Sequence, residues 1–225
     1  MKHYSIAIDG PAGAGKSTLS KALAARLGFL YVDTGAIYRT VGLSVARQGG
    51  DCGDPADVAA RLPSLRLSLT HGPDGRQHML LGEEDVTDAI RDNAVSRYAS
   101  QVSAHPAVRD FLLEMQRELA RQHNVVMDGR DIGTVVLPQA DVKIFLTASA
   151  QQRALRRFRE LEERGQQVDF EKLRQEIVQR DYDDSHRAAA PLRQAEDAVV
   201  VDTSQLDLEQ SLEALLTVVK ERLPL

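Results

Sequence analysis

The sequence has no tryptophan, a single cysteine and only 4% aromatic residues in 225. With no partner for Cys52, no internal disulfide framework is available, and a reducing, cytoplasmic setting is expected. The six histidines lack the spacing of a zinc site, so no structural metal is expected. Long hydrophobic runs are also missing. The longest, such as 198–201, fall far short of the roughly 18 residues a bilayer span needs. Asp9 interrupts the only apolar stretch near the N-terminus, which predicts a chain that starts directly with its fold, without leader or membrane span. A positive charge excess is absent as well. At a net charge of −5, and with so few aromatics, no basic coat or stacking platform for nucleic acid is present.

What remains is the composition of an ordinary soluble globular chain, 43% hydrophobic and 27% charged. Its length suits one large domain, or one domain with a subdomain grown from it. Of the 28 basic residues 22 are arginine, whose planar guanidinium grips phosphate and carboxylate in two-pronged contacts. A chain that repels anions overall is therefore equipped to hold them locally.

Short β-prone runs at 4–8, 29–32, 125–127, 142–146 and 198–201, most of them separated by segments of helical spacing, predict five parallel strands between two helical layers. Between the second and third lies an excursion, 34–123, too long for a simple crossover. Within it the alternating run 65–69, the turn residues Gly72-Pro73-Asp74-Gly75 and a return strand at 77–81 predict a hairpin insert. Helices are predicted at 16–27, 93–104, 107–121, 150–164 and 170–187, with breaks at Pro106 and Gly165.

Gly10-Pro11-Ala12-Gly13-Ala14-Gly15-Lys16-Ser17 fits G-x-x-x-x-G-K-[ST] between a strand and a helix, the context this phosphate loop requires. Its glycines let successive N–H groups turn toward an anion, and the helix start, running on through Thr18, adds a positive dipole. Lys16 supplies a mobile charge for the β- and γ-phosphates, and Ser17 a hydroxyl for Mg²⁺. ATP with magnesium is the expected ligand. The loop alone does not separate kinases, GTPases, motors and helicases, although no Asn-Lys-x-Asp guanine motif is present.

The acceptor side comes from the run Asp33-Thr34-Gly35-Ala36-Ile37-Tyr38-Arg39, at the strand edge where doubly wound folds bind ligands. Beside the phosphate loop, this run resembles bacterial-type cytidylate kinases. So do Ala99–Val102 with Val108-Arg109, Met127–Val136 and Arg180–Arg187 followed by Ala190-Pro191-Leu192. The similarity covers nearly the whole chain.

The resemblance implies a P-loop three-layer α/β fold in a single domain, residues 1–225. Its core would comprise 1–33, 110–149 and 188–225, its nucleoside-monophosphate region 34–109 and its helical lid 150–187. It implies phosphate transfer from Mg·ATP to CMP or dCMP in pyrimidine nucleotide metabolism, and a monomer is the default expectation. Positions matching Thr34, Arg39, Arg130 and Arg187 would hold the acceptor's phosphate, Ser100, Arg109 and Asp131 the cytosine, and Arg180 and Asp184 the ribose. These types suit their targets: guanidinium forks for a dianion, a carboxylate for the cytosine amino group, and a carboxylate for sugar hydroxyls. Arg157 and Arg153 on the lid would contact ATP. Lys16, Arg130, Arg187 and Arg157 would carry the catalytic charge.

Other readings stand beside these. Asp33 suits a cap, and Asp128 either a strand-end cap or a carboxylate near Mg²⁺ through water. Arg130 and Asp131 suit a structural ion pair, and the arginines of 153–164 a solvated helix face. His186 and Cys52 read as structural. The nearest rival function is another small-molecule P-loop kinase, acting on UMP, AMP or an alcohol. Clustered arginines favour a phosphate acceptor over an alcohol.

Overall fold

The computed structural model describes residues 2–72, 75–163 and 165–224. Pro73 and Asp74 of the expected turn, and Arg164 at the expected helix end, lie outside them. In chain order the strands are β1 (Ser5–Asp9), β2 (Leu30–Asp33), β3 (Leu67–His71), β4 (Gln77–Leu81), β5 (Glu84–Asp85), β6 (Val125–Gly129), β7 (Val142–Thr147) and β8 (Val199–Asp202). The helices are α1 (Lys16–Leu27), α2 (Thr34–Arg47), α3 (Pro55–Arg61), α4 (Asn93–Ser103), α5 (Pro106–Gln122), α6 (Ala150–Glu163), α7 (Phe170–His186) and α8 (Leu208–Arg222). Among the described residues no helix is long and apolar enough to cross a membrane.

β2, β6, β1, β7 and β8 pair in that order, all parallel, as the apolar runs predict. Their period of two splits each run between two cores. Ala7, Val125 and Met127 face a cluster with Ile37 and Val41 of α2, while Ile6, Ile8 and Val126 face one with Leu19 and Leu23 of α1 and Leu215 and Val219 of α8. At about 1.5–3 kcal/mol for each large apolar side chain taken fully out of water, this layering dominates the fold's stability. The insert joins the first cluster through Val58, Met79, Ile90 and Val95 and does not form a core of its own.

The insert departs from a simple hairpin. β5 pairs with β4, so the antiparallel sheet has three strands, in the order β3-β4-β5. Capping sets several helix starts. Asp33 accepts from the Ala36 N–H at 2.8 Å, and Pro106 occupies the first turn of α5, where its missing N–H costs nothing. At α8, Asp207 and Gln210 form a reciprocal capping box.

The strand order positions the site. From central β1 the chain crosses to the edge at β2, returns through the insert to β6 beside β1, and continues to β7 on β1's other side. This reversal opens a crevice at the C-terminal ends of β1, β6 and β7. Asp9 ends β1, and Asp33 and Asp128 are register partners at the ends of β2 and β6.

Candidate active site

A cavity of about 460 Å³ occupies that crevice and runs from the phosphate loop to α7. Nine cationic and five acidic side chains line it, so an excess of positive charge is concentrated there in a chain whose net charge is −5.

At one end, backbone geometry makes the site. Gly10 has φ +154°, and a Cβ there would lie 1.9 Å from the Leu146 carbonyl oxygen, so the loop leaves β1 against β7 only as glycine. Gly13 and Gly15 also have positive φ, at +73° and +88°. Ala12, Gly13, Gly15, Lys16, Ser17 and Thr18 line the cavity, whereas Gly10, Pro11 and Ala14 shape the loop behind it. The Lys16 ammonium donates to the Pro11 carbonyl at 2.8 Å. Burial, and then the nearby Arg130, push its pKa down from the ordinary lysine range.

Ser17 donates through Oγ to Asp128 Oδ2 at 3.1 Å, and the Tyr31 hydroxyl donates to Oδ1 at 3.0 Å. Burial, followed by Asp33, pushes the Asp128 carboxyl up, and burial also pushes up the Tyr31 phenol. Among the described residues no group of three or more metal-ligating side chains exists. Mg²⁺ fits this donor set, because it is usually held by one or two carboxylates together with substrate phosphates and water. Asp9 turns the chain beyond β6. Its carboxylate accepts from the Ile132 and Gly133 N–H groups, both at 2.7 Å, and caps a π-helical turn at Ile132–Val136. Burial pushes its pKa up to about 6.

At the other end, side chains from distant segments interlock. Asp131 lies 2.6 Å from Arg109 and 3.7 Å from Arg187, and Asp184 accepts from Arg130 Nε at 2.8 Å. The alternative reading of Arg130 and Asp131 as an ion pair with each other does not hold, because the two neighbours point to different partners. Burial works against the Asp184 charge, but Arg130, Arg180 and Arg187 outweigh it and hold the carboxyl below its usual range. Arg187 also donates to the Ala190 carbonyl at 2.9 and 2.6 Å, and Ala190 is held at φ +46°. Arg39 donates to Asp33 Oδ2 at 2.8 Å, and Thr34 donates to the Asp128 carbonyl at 2.7 Å. Ser100 and Arg180 also line the cavity. Among the described residues buried Arg39 Nε has no aligned acceptor, which fits a site built to receive a further hydrogen bond.

The α6 arginines divide by role. Arg157 pairs with Glu160 at 2.7 Å at the cavity wall, Arg156 donates to the Thr203 carbonyl at 2.6 Å, and Arg153 is buried. They are not a uniformly solvated face. His186 stacks on Tyr182 with centroids 3.9 Å apart, and Cys52 is buried, so both sit outside the cavity. Sequence reasoning assigned no role to Tyr31, Tyr38, Arg156 or Asp9. Tyr38 lies under the Arg109 guanidinium, 5.4 Å from ring centroid to Cζ, and burial pushes its phenol up to about 12. Tyr31 and Tyr38 lie within or beside the recognised runs, but their pairing depends on which side chains the fold brings to them.

A sequence model of the cytidylate kinase family matches residues 6–221. A cytidylate kinase of Caldicellulosiruptor bescii is 52% identical over 96% of this chain and 95% of its own length. One of Anoxybacillus flavithermus is 47% identical over 98% of each. A crystal structure of an uncharacterized protein from Eubacterium ventriosum superposes with a TM-score of 0.54 over 98% of this chain and 100% of its own, at 11% identity, a likeness of fold alone. With the phosphate loop, the interlocked arginines and this full-length similarity together, the chain belongs to the cytidylate kinase family.

Proposed function

We propose that the chain transfers the γ-phosphate of ATP to the phosphate of CMP or dCMP, yielding ADP and CDP or dCDP. The observation that carries this reading is one cavity joining an anion-binding loop to arginines interleaved with two carboxylates, Asp131 and Asp184. Full-length similarity to proteins named cytidylate kinase supports the choice of base.

An acceptor phosphate oxygen is already anionic near neutral pH, so its attack on the γ-phosphorus needs no general base. The task of this chain is then alignment and charge neutralisation. The phosphate loop and Lys16 hold the donor, with Arg157 approaching from the lid. Arg39, Arg130 and Arg187, with Thr34, hold the acceptor phosphate. For Arg39 and Thr34 this means turning from Asp33 and from the Asp128 carbonyl. Asp131, Arg109 and Ser100 read the base, and Arg180 and Asp184 read the sugar. Mg²⁺, held through Ser17 and by Asp128 through water, would neutralise charge on the donor's phosphates.

Water is a competing nucleophile. Segments 34–109 and 150–165 close only when both nucleotides are bound and exclude it. The reading extends to a cytoplasmic monomer in pyrimidine nucleotide metabolism. The lone buried cysteine supports the compartment.

The test is ADP formation from Mg·ATP with CMP, dCMP, UMP, AMP or no acceptor. Strong turnover with CMP and dCMP alone is expected. Equal turnover without acceptor would make the chain an ATPase, and activity centred on UMP or AMP would overturn the base assignment.

A further inference from the structure

Arg153 is the most committed arginine of the cavity. Only 4% exposed, it donates through Nε to the Ala148 carbonyl at 2.8 Å and through Nη1 to the Ala12 carbonyl at 2.9 Å. Both terminal nitrogens also meet the Asp181 carboxylate, Nη1 to Oδ1 at 2.9 Å and Nη2 to Oδ2 at 2.5 Å. One guanidinium thus ties the exit of β7, the phosphate loop and α7 together. A planar fork with fixed donor directions can do this, whereas a lysine ammonium offers no such geometry.

Each tie has a consequence. In a planar trans peptide the N–H points opposite to the preceding C=O, so holding the Ala12 carbonyl sets the direction of the Gly13 N–H, a donor of the phosphate loop. Gly13 packs against Arg153, since a Cβ there would lie 3.4 Å from the arginine's own Cβ. On α7, Asp181 adjoins Arg180 and precedes Asp184 by three residues, so its anchor sets the rotation of the helix that carries both.

We infer that Arg153 and Asp181 are positioning residues, a buried joint that aims the Gly13 amide at the donor and sets the α7 face toward the acceptor, and that Arg153 is not itself a nucleotide contact. The inference rests on the phosphotransfer reading for its kinetic half only.

Arg153→Lys, Asp181→Asn and the double variant test it. In the full chain labelled with ¹⁵N, the Gly13 amide resonance is followed without ligand and with pyrophosphate. Both single variants are expected to move that resonance, to weaken pyrophosphate binding roughly tenfold and to raise KM for CMP by a similar factor. The double variant should be within about twofold of either single one, because both break one joint. Three results would overturn the inference: Arg153→Lys keeping parental pyrophosphate affinity, as a simple charge contact would; Asp181→Asn leaving Gly13 and the KM for CMP unchanged; or additive losses. Leu112→Val, in the core cluster on the α2 side of the sheet, controls for loosening of the fold. It should leave the Gly13 resonance in place, and an equal shift there would sink the proposal. A parental chain inactive on CMP would strike the functional reading and leave the pyrophosphate and Gly13 readouts to judge the joint.

Discussion

The two ends of the cavity present anion-binding groups of different kinds. At the loop end the groups are peptide N–H donors and one lysine, set by contiguous residues and by glycines, of which Gly10 leaves no room for a Cβ. At the α7 end they are guanidinium forks from residues 39, 109, 130, 180 and 187, steadied by carboxylates from three separate segments. A backbone cradle suits any polyphosphate. A side-chain lattice in which Asp131 and Asp184 alternate with arginines can also select what carries the phosphate, because each carboxylate offers acceptors to a base or sugar. Under the proposed function, generic affinity would sit at one end and discrimination at the other.

The largest expected effect breaks the loop end. Lys16→Ala should lower turnover about 10²–10³-fold by leaving transition-state charge uncompensated. Since burial already disfavours the Lys16 charge, the urea midpoint should not fall. Near-parental turnover would remove the loop from the chemistry. Gly10→Ala attacks the same end through shape. With a Cβ 1.9 Å from the Leu146 oxygen and a φ foreign to alanine, a stability loss of about 2–4 kcal/mol is expected in urea titration. An unchanged midpoint would mean that β1 and β7 can part without cost.

Asp131→Ala sharpens the contrast from the other side. Preference for CMP over UMP, measured as a ratio of kcat/KM, should narrow by about 1–3 kcal/mol, while affinity for an ATP analogue should change little. Loss of both would show that the two ends are not separable. The smallest effect is protonic. An added polyphosphate opposes the burial and the Arg130 repulsion that depress the Lys16 pKa, so binding raises that pKa and takes up a fraction of a proton. The Lys16 contribution to metal-free pyrophosphate affinity is therefore fully present below the depressed pKa of the free site and is lost as pH rises through the raised pKa of the complex. Calorimetry in two buffers of different ionisation enthalpy measures the uptake, and equal heats would show that Lys16 is already fully charged.

Much of the architecture was legible before any coordinates. Runs such as Ile6–Ile8 and Val125–Met127 are apolar at every position, a pattern that suits a strand covered on both faces, and the sheet has the predicted five strands. The third strand of the insert escaped because Glu84–Asp85 is two exposed acidic residues with no apolar alternation. Asp33 illustrates the mixed case. Its cap role was readable from its place before a helix, but its 2.8 Å bond to Arg39 was not.

By itself the sequence determined the phosphate loop, the family and which residue types gather at the cavity, because those depend on contiguous residues and local backbone preferences. Tertiary structure alone decided the partners. Arg130 meets Asp184 across 54 residues and Arg153 reaches Ala12 across 141, while adjacent Arg130 and Asp131 turn away from each other. The physical reason is that a buried charge takes whatever counter-charge the packed elements bring within reach, and that distance is set by sheet order and helix packing.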